Sequence, residues 1–380
     1  MDVVYQNLES EIDDNVIVEE ESQGTELISV PFNPQSIRIR RDPFTLGELV
    51  DKIQYSEVRF DTPYQRKENL WDDVKQSRLI ESLLLRLPLP AFYFDEIEEE
   101  KQIWNVIDGL QRCSAFSRFI VKKALVLNGL EFLGDDYNGK SFDELPRELH
   151  RRIMQTPLSV YVVEKGTPDE VKYNIFKRIN TGGLVLTPQE IRHAMNQGIA
   201  ANFVAKLAAK TVFKDATCWR IPTDRMEDQD FITRFVSFYI LGADDYAPDL
   251  DSFMTKGMGA VRQLTQTQRD LMESNFERSM HTALAIFGND AFRKRVMIEE
   301  RRHPLNKTLF EVLSVCFAKL SEKETNTLIE RKALFCEKFR ELNADSKFVY
   351  SITSGTGNKD SVKNRYGAIN EIIYKTLNLC

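Results

Sequence analysis

Between Ile103 and Lys122 the chain passes from a strand-like run through a glycine into a helix-like run, and this succession restricts its fold more than any other feature. Ile103 to Ile107 reads as a short strand, Asp108-Gly109 closes it, and Gln111 to Lys122 reads as the helix after it. A glycine at such a junction accepts a positive φ and lets another group come close to the backbone. The helix that follows opens with unpaired N–H groups and the positive end of its dipole, which together favour a bound anion. Arg112 in the first turn adds a planar fork of donors that suits phosphate. Asp108 is placed to hold a metal ion or to accept from a ribose hydroxyl. The pentapeptide also has a plainer reading, in which Asp108 caps the helix and Arg112 lies on the surface.

The flanking sequence supplies partners for this unit. Helical spacing starts at Phe44-Thr45-Leu46-Gly47-Glu48-Leu49, after a basic stretch, Ile37 to Arg41, that reads as a solvated edge strand. A second helix is expected over Trp71 to Arg86, with Val74, Leu79, Leu83 and Leu84 on one face, ended by Pro88 and Pro90. Ala91 to Phe94 reads as a strand joined to Ile103–Ile107 by an acidic turn, and Leu158 to Val163 as another strand. Thr167-Pro168-Asp169-Glu170 and Thr187-Pro188-Gln189-Glu190 both have the form of a capping box with proline at the first helical position. Between them Asn180-Thr181-Gly182-Gly183 stops a helix, and its consecutive glycines allow N–H groups to converge on an anion. Glu190 and Arg192 would then sit near the phosphates, although Glu190 is equally explained as the capping partner of Thr187.

From Asn202 onward the periodicity is mostly helical, including Phe231 to Leu241, Leu271 to Phe287 and Leu309 to Leu320. Phe231, Phe235, Phe238 and Tyr239 recur at helical spacing and read as core. Ser351 to Lys359 reads as a loop before a last helix. The expectation is an α+β fold: an acidic N-terminal tail and lead-in strand over 1–43, a mixed domain over 44–200 and a helical domain over 201–380.

Several chemistries are disfavoured. The net charge of -7 means that any contact with nucleic acid must be a local basic patch. Cys113, Cys218, Cys316, Cys336 and Cys380 are scattered without a C-x-x-C pair, and the four histidines lack metal-ligand spacing. No signal peptide or membrane-length apolar run is seen, so a cytoplasmic protein without a membrane partner is expected. H-E-x-x-H, G-x-S-x-G and HNH arrangements are missing. Gly134-Asp135-Asp136-Tyr137-Asn138-Gly139-Lys140-Ser141 fits the P-loop pattern, but two carboxylates would lie in the phosphate cradle and Pro146 falls early in the following helix. Ser141-Phe142-Asp143-Glu144 is better explained as a capping box. The basic run Arg293-Lys294-Arg295 with Arg301-Arg302 reads as a solvated helical face.

Taken together, these segments resemble a known family. Residues 44–200 are similar to the N-terminal domain of GmrSD-type restriction proteins, a ParB/sulfiredoxin-like mixed fold. The resemblance runs through Pro63-Tyr64-Gln65-Arg66, Trp71, Gln76 to Ser82, Leu87-Pro88-Leu89-Pro90, Asp108 to Arg112 and Phe176 to Arg192; Arg225, Asp228 and Arg234 fit the family's helical region. The family signature is DGQQR, so Leu110 is a departure that replaces one amide and leaves Asp108, Gln111 and Arg112 in place. The resemblance implies binding and hydrolysis of a nucleoside triphosphate, with Mg²⁺ held through Asp108, in antiviral defence by restriction of foreign DNA. It assigns Asp108, Gln111 and Glu190 to catalysis, Gly109, Arg112, Asn180, Gly182, Gly183 and Arg192 to phosphate binding, and Tyr64, Gln65 and Arg66 to the rim. A partner nuclease or other effector is implied, with DNA and a second copy of the chain as further partners. Two alternatives stand beside it: a ParB-like DNA-binding or nicking protein, and a non-catalytic regulatory subunit.

Overall fold

In the computed structural model the strands are β1 (Ile39–Thr45), β2 (Val58–Arg59), β3 (Phe92–Glu96), β4 (Trp104–Asp108) and β5 (Pro157–Val163), with apolar alternation clearest in β3 and β5. The structure describes residues 17–19, 37–59, 71–96, 103–179, 186–297 and 302–378. The strands form one five-stranded sheet in the order β1-β5-β3-β4-β2. β3 and β4 follow one another closely and pair antiparallel, whereas β5 arrives after a helical crossover and lies parallel to β3. β1 runs antiparallel to β5 at one edge, as the solvated edge strand expected from Ile37 to Arg41, and β2 runs parallel to β4.

One face of the sheet is the core of this unit. Phe92, Phe94, Trp104, Val106, Leu158, Val160 and Val162 pack there against α1 (Leu46–Gln54) and α2 (Asp73–Leu84). Thr45 and Glu48 close a capping box at the start of α1, and Asp72 caps α2 by accepting from the Lys75 N–H at 2.7 Å. α3 (Leu110–Phe116) follows Gly109 directly and widens into a π-helical stretch, Ser117–Val121, so the helix expected to Lys122 is only partly α-helical. α4 (Gly134–Tyr137) and α5 (Arg147–Met154) complete the crossover. On the opposite face α6 (Asp169–Ile179) brings Lys172 to Asp95, 2.8 Å away in a buried ion pair.

By contact the chain divides into Phe32–Leu186 and a second unit, Thr187–Cys380 with Met1–Pro31. The second unit begins with α7 (Pro188–Met195), so this division lies ahead of position 200. It continues through α8 (Ile199–Ala208), α9 (Thr211–Ala216), α10 (Glu227–Leu241), α11 (Leu250–Gln263), α12 (Gln266–Phe287) and α13 (Lys307–Ala318). α14 (Glu322–Glu330), α15 (Lys332–Ala344), α16 (Ser346–Thr353) and α17 (Lys359–Leu377) complete it. The α+β core followed by a helical region is therefore the fold observed. Phe231, Phe235 and Phe238 are fully buried, as their spacing requires. None of the described helices is long and apolar enough to cross a membrane.

Two expectations are corrected here. Residues 17–19, read as part of a flexible tail, are pinned to the second unit. The Glu19 N–H donates to the Leu305 carbonyl at 2.8 Å, and the Glu19 carboxylate meets Lys294 at 2.6 Å and Asn306 at 2.8 Å. The run Arg293-Lys294-Arg295 is no helical face: Arg293 bridges to Leu305, donates to the His303 carbonyl and is 6% exposed. Local charge cannot show this, because the partners are distant in sequence.

Candidate functional site

The β4–α3 turn forms as its composition dictates. Gly109 has φ 103° and ψ 10°, in the left-handed region that glycine alone enters without strain. A Cβ at this position would lie 2.5 Å from Cδ1 of Phe92, so the ring and the turn also require the missing side chain. Gly109 is the residue at the helix start, and no side chain caps it there; Asp108 is therefore not the helix cap.

Arg112 is not on the surface either. It is 7% exposed and lies over the Phe92 ring, its guanidinium carbon 4.2 Å from the centroid. One nitrogen, Nη2, donates to Asp108 Oδ2 at 3.0 Å and to the Ala91 carbonyl at 3.1 Å, and Nη1 donates to the Pro90 carbonyl. Burial lowers its pKa, and the Asp108 charge works against that. The arginine thus ties the entry to β3 to the exit from β4, and it holds one oxygen of Asp108. The rest of Asp108 stays open, with its side chain 39% exposed.

Gln111 reaches elsewhere. Its Oε1 accepts from the Trp71 N–H at 3.0 Å, while Gln76 Nε2 donates to the Trp71 carbonyl at 2.5 Å, so two glutamines grip one backbone position ahead of α2. Leu110, the departure from DGQQR, packs partly buried against the core of the unit. Burial pushes the Cys113 thiol up to about 12, which leaves it inert as a nucleophile.

Glu190 and Arg192 belong to the second unit. Glu190 closes the capping box with Thr187, whose N–H donates to its Oε2 at 2.6 Å. Arg225 grips the same carboxylate with two prongs, Nε to Oε1 at 2.9 Å and Nη2 to Oε2 at 2.7 Å. Arg225 and Met226 both have left-handed φ, 62° and 58°, where branched or bulky side chains carry strain. Arg192 is 1% exposed and donates to Gln189 at 2.9 Å, Asp251 at 3.0 Å and Asp230 at 2.8 Å. Burial alone would raise Asp230, but Lys307, Arg192 and Arg234 outweigh it and hold the carboxyl well below its usual range. Arg192, Arg225, Asp230, Asp251 and Lys307, though not Glu190, border a cavity of about 340 Å³ whose wall also includes Val18 and Glu19.

Asp108, Gly109, Gln111 and Arg112 are thus gathered at one turn of the first unit, and Glu190 and Arg192 at one helix start of the second. Asn180, Gly182, Gly183, Tyr64, Gln65 and Arg66 lie outside the described residues. Among the described residues no group of three or more acidic, histidine or cysteine side chains is arranged to hold a metal. The sequence reading overlooked Asp251, Lys307 and Glu19, which carry no motif of their own. The P-loop pattern does not form a P-loop: Gly134–Tyr137 is helical, the Lys140 carbonyl accepts from Leu127, and Ser141 donates its N–H and hydroxyl to Glu144.

An α+β domain whose strand ends in an aspartate-glycine turn, followed by helices that bury paired charges, is the class of protein these observations define. Residues 46–196 match the family model of the GmrSD restriction endonuclease, N-terminal domain. The match spans both the Asp108–Arg112 turn and the Glu190–Arg192 helix. No curated protein and no solved structure matches the chain.

Proposed function

We propose that the chain binds a nucleoside triphosphate at the β4–α3 turn, hydrolyses it, and works with a separate effector in DNA restriction. The observation that carries this reading is the Gly109 turn, with an open helix start behind it and a half-exposed Asp108 carboxylate steadied by buried Arg112. The first N–H groups of α3 have no acceptor within the helix and can receive phosphate oxygens. Arg112 acts mainly through Asp108, because its own donors already serve Asp108, Pro90 and Ala91. Asp108 retains a free oxygen for Mg²⁺ or a ribose hydroxyl, in keeping with magnesium sites built from one or two carboxylates plus substrate phosphates. Mg²⁺ would supply charge neutralisation on the phosphates. Gln111 orders the approach to the turn by holding the Trp71 backbone.

The reading is tested by calorimetric titration of nucleoside triphosphates with Mg²⁺, together with phosphate release, on the wild type, Asp108→Asn and Lys140→Ala. Binding lost in Asp108→Asn and kept in Lys140→Ala supports it. Failure of the wild type to bind any triphosphate overturns it. Salt-sensitive DNA binding that ignores nucleotide would instead favour a ParB-like DNA-binding protein.

A further inference from the structure

The register of the sheet aligns three side-chain positions that the turn does not use with Asp108, which it does. Arg41 of β1 pairs with Tyr161 of β5, Tyr161 pairs with Tyr93 of β3, and Tyr93 pairs with Asp108 of β4 across a β-bulge at Ile107 that shifts the β3–β4 register. Four neighbouring strands therefore each give one residue to a single row, on the order of 14 Å from end to end at the usual strand spacing. Tyr93 alternates with Phe92 and Phe94, which face the core, so it belongs to the opposite face. Its ring stacks on that of Tyr161, with centroids 5.0 Å apart and planes 13° from parallel, and both residues are half-buried. Neither phenol hydroxyl, nor the exposed Arg41 guanidinium, has a hydrogen-bond or ion-pair partner among the described residues. On the same face Asp95 and Lys172 form a buried ion pair.

We propose that Tyr93 and Tyr161 form the stacking platform for the base of the nucleotide, continuous through Asp108 with the phosphate-binding turn. The inference rests on the nucleotide reading above and adds the part of the site that holds the ring. Two parallel phenols already form a stack at strand spacing, and a planar base extends it as the next layer. Base-on-aromatic stacking accepts any base, because every base offers a π face. Asp108 ends the row, and Gly109 and the α3 N–H groups follow it at once in the chain. A ligand with an aromatic ring at one end and phosphates at the other fits that order. The Tyr93 phenol is raised by burial, by Tyr161 and by Asp108, so it stays neutral as a stacking surface at ordinary pH.

The test compares nucleoside triphosphates with inorganic tripolyphosphate, using the full chain and the variants Tyr93→Leu, Tyr161→Leu, Tyr93→Phe and Tyr161→Phe. The leucine variants should lose on the order of tenfold or more in triphosphate affinity. Their tripolyphosphate affinity should be unchanged, and the phenylalanine variants should bind as the wild type does. Leucine variants that bind nucleotide normally overturn the platform and leave the nucleotide reading standing, whereas a wild type that binds no nucleotide removes both. If the leucine variants unfold, photocrosslinking of an azido-nucleotide to the wild type decides the matter. Label on peptides containing Tyr93 or Tyr161 supports the platform; label confined to other peptides overturns it.

Discussion

Arg112 lies across the face of Phe92 and reaches past it to Asp108, so an apolar strand residue and a buried cation together fix the carboxylate that ends β4. This relationship changes what the arginine does. A surface arginine could be removed at little cost, whereas this one leaves two backbone carbonyls and a carboxylate oxygen without donors.

Arg112→Ala should therefore destabilise the first unit by about 2–3 kcal/mol, through unpaired acceptors and lost packing on Phe92. Arg112→Lys should recover part of this, since a single ammonium cannot reproduce the fork. Denaturant unfolding followed at both tryptophan and backbone signals checks the ranking. Equal stability of Arg112→Ala and wild type would contradict the geometry.

Gly109→Ala should cost about 1–3 kcal/mol from backbone strain, before any displacement of Phe92 is counted. Because the ring must also move, Gly109→Ala with Phe92→Leu should be less destabilised than the sum of the single changes. A double-mutant cycle by thermal unfolding measures this coupling, and strict additivity would show that ring and turn do not meet.

Arg225→Ala should destabilise the second unit more than Thr187→Ala. The first leaves a nearly buried Glu190 without its two-pronged partner, at a cost of about 2 kcal/mol or more, while the second removes a helix cap worth about 1 kcal/mol. If Glu190 also takes part in turnover, Glu190→Gln will lower phosphate release beyond what its stability loss explains. Comparing kcat with the folded fraction separates the two roles.

Asp228 and Asp230 sit two residues apart at the start of α10 and should titrate in opposite senses. Burial raises the Asp228 carboxyl to about 6, and its Oδ1 is buried with no hydrogen-bond partner among the described residues. An acid with a raised folded pKa costs stability above that pKa, and the cost vanishes as pH falls through 6 toward the ordinary aspartate value. Asp228→Asn should thus stabilise the chain at pH 7 by about 1–2 kcal/mol, with the difference shrinking to nothing near pH 4. Asp230, held low by Lys307, Arg192 and Arg234, contributes stability that is lost only in stronger acid. Unfolding free energies from pH 4 to 8 for wild type and Asp228→Asn check the sign.

What the amino-acid sequence determined by itself was local. Apolar alternation placed β3 and β5, a strand-like run placed β4, helical spacing placed α2 and the aromatic face of α10, and the boxes Ser141–Glu144 and Thr187–Glu190 formed as written. Such features depend on groups within about four residues of one another, where backbone geometry alone brings them together. The tertiary structure decided the rest. It buried Arg112 against Phe92, brought Arg225 to Glu190 across 35 positions, and carried Glu19 to Lys294 across 275. It also aligned Arg41, Tyr161, Tyr93 and Asp108, because that row follows from sheet order and register. A charged side chain enters the interior only where a partner offsets its desolvation, and which partner arrives is settled by packing of distant elements rather than by neighbours in the chain.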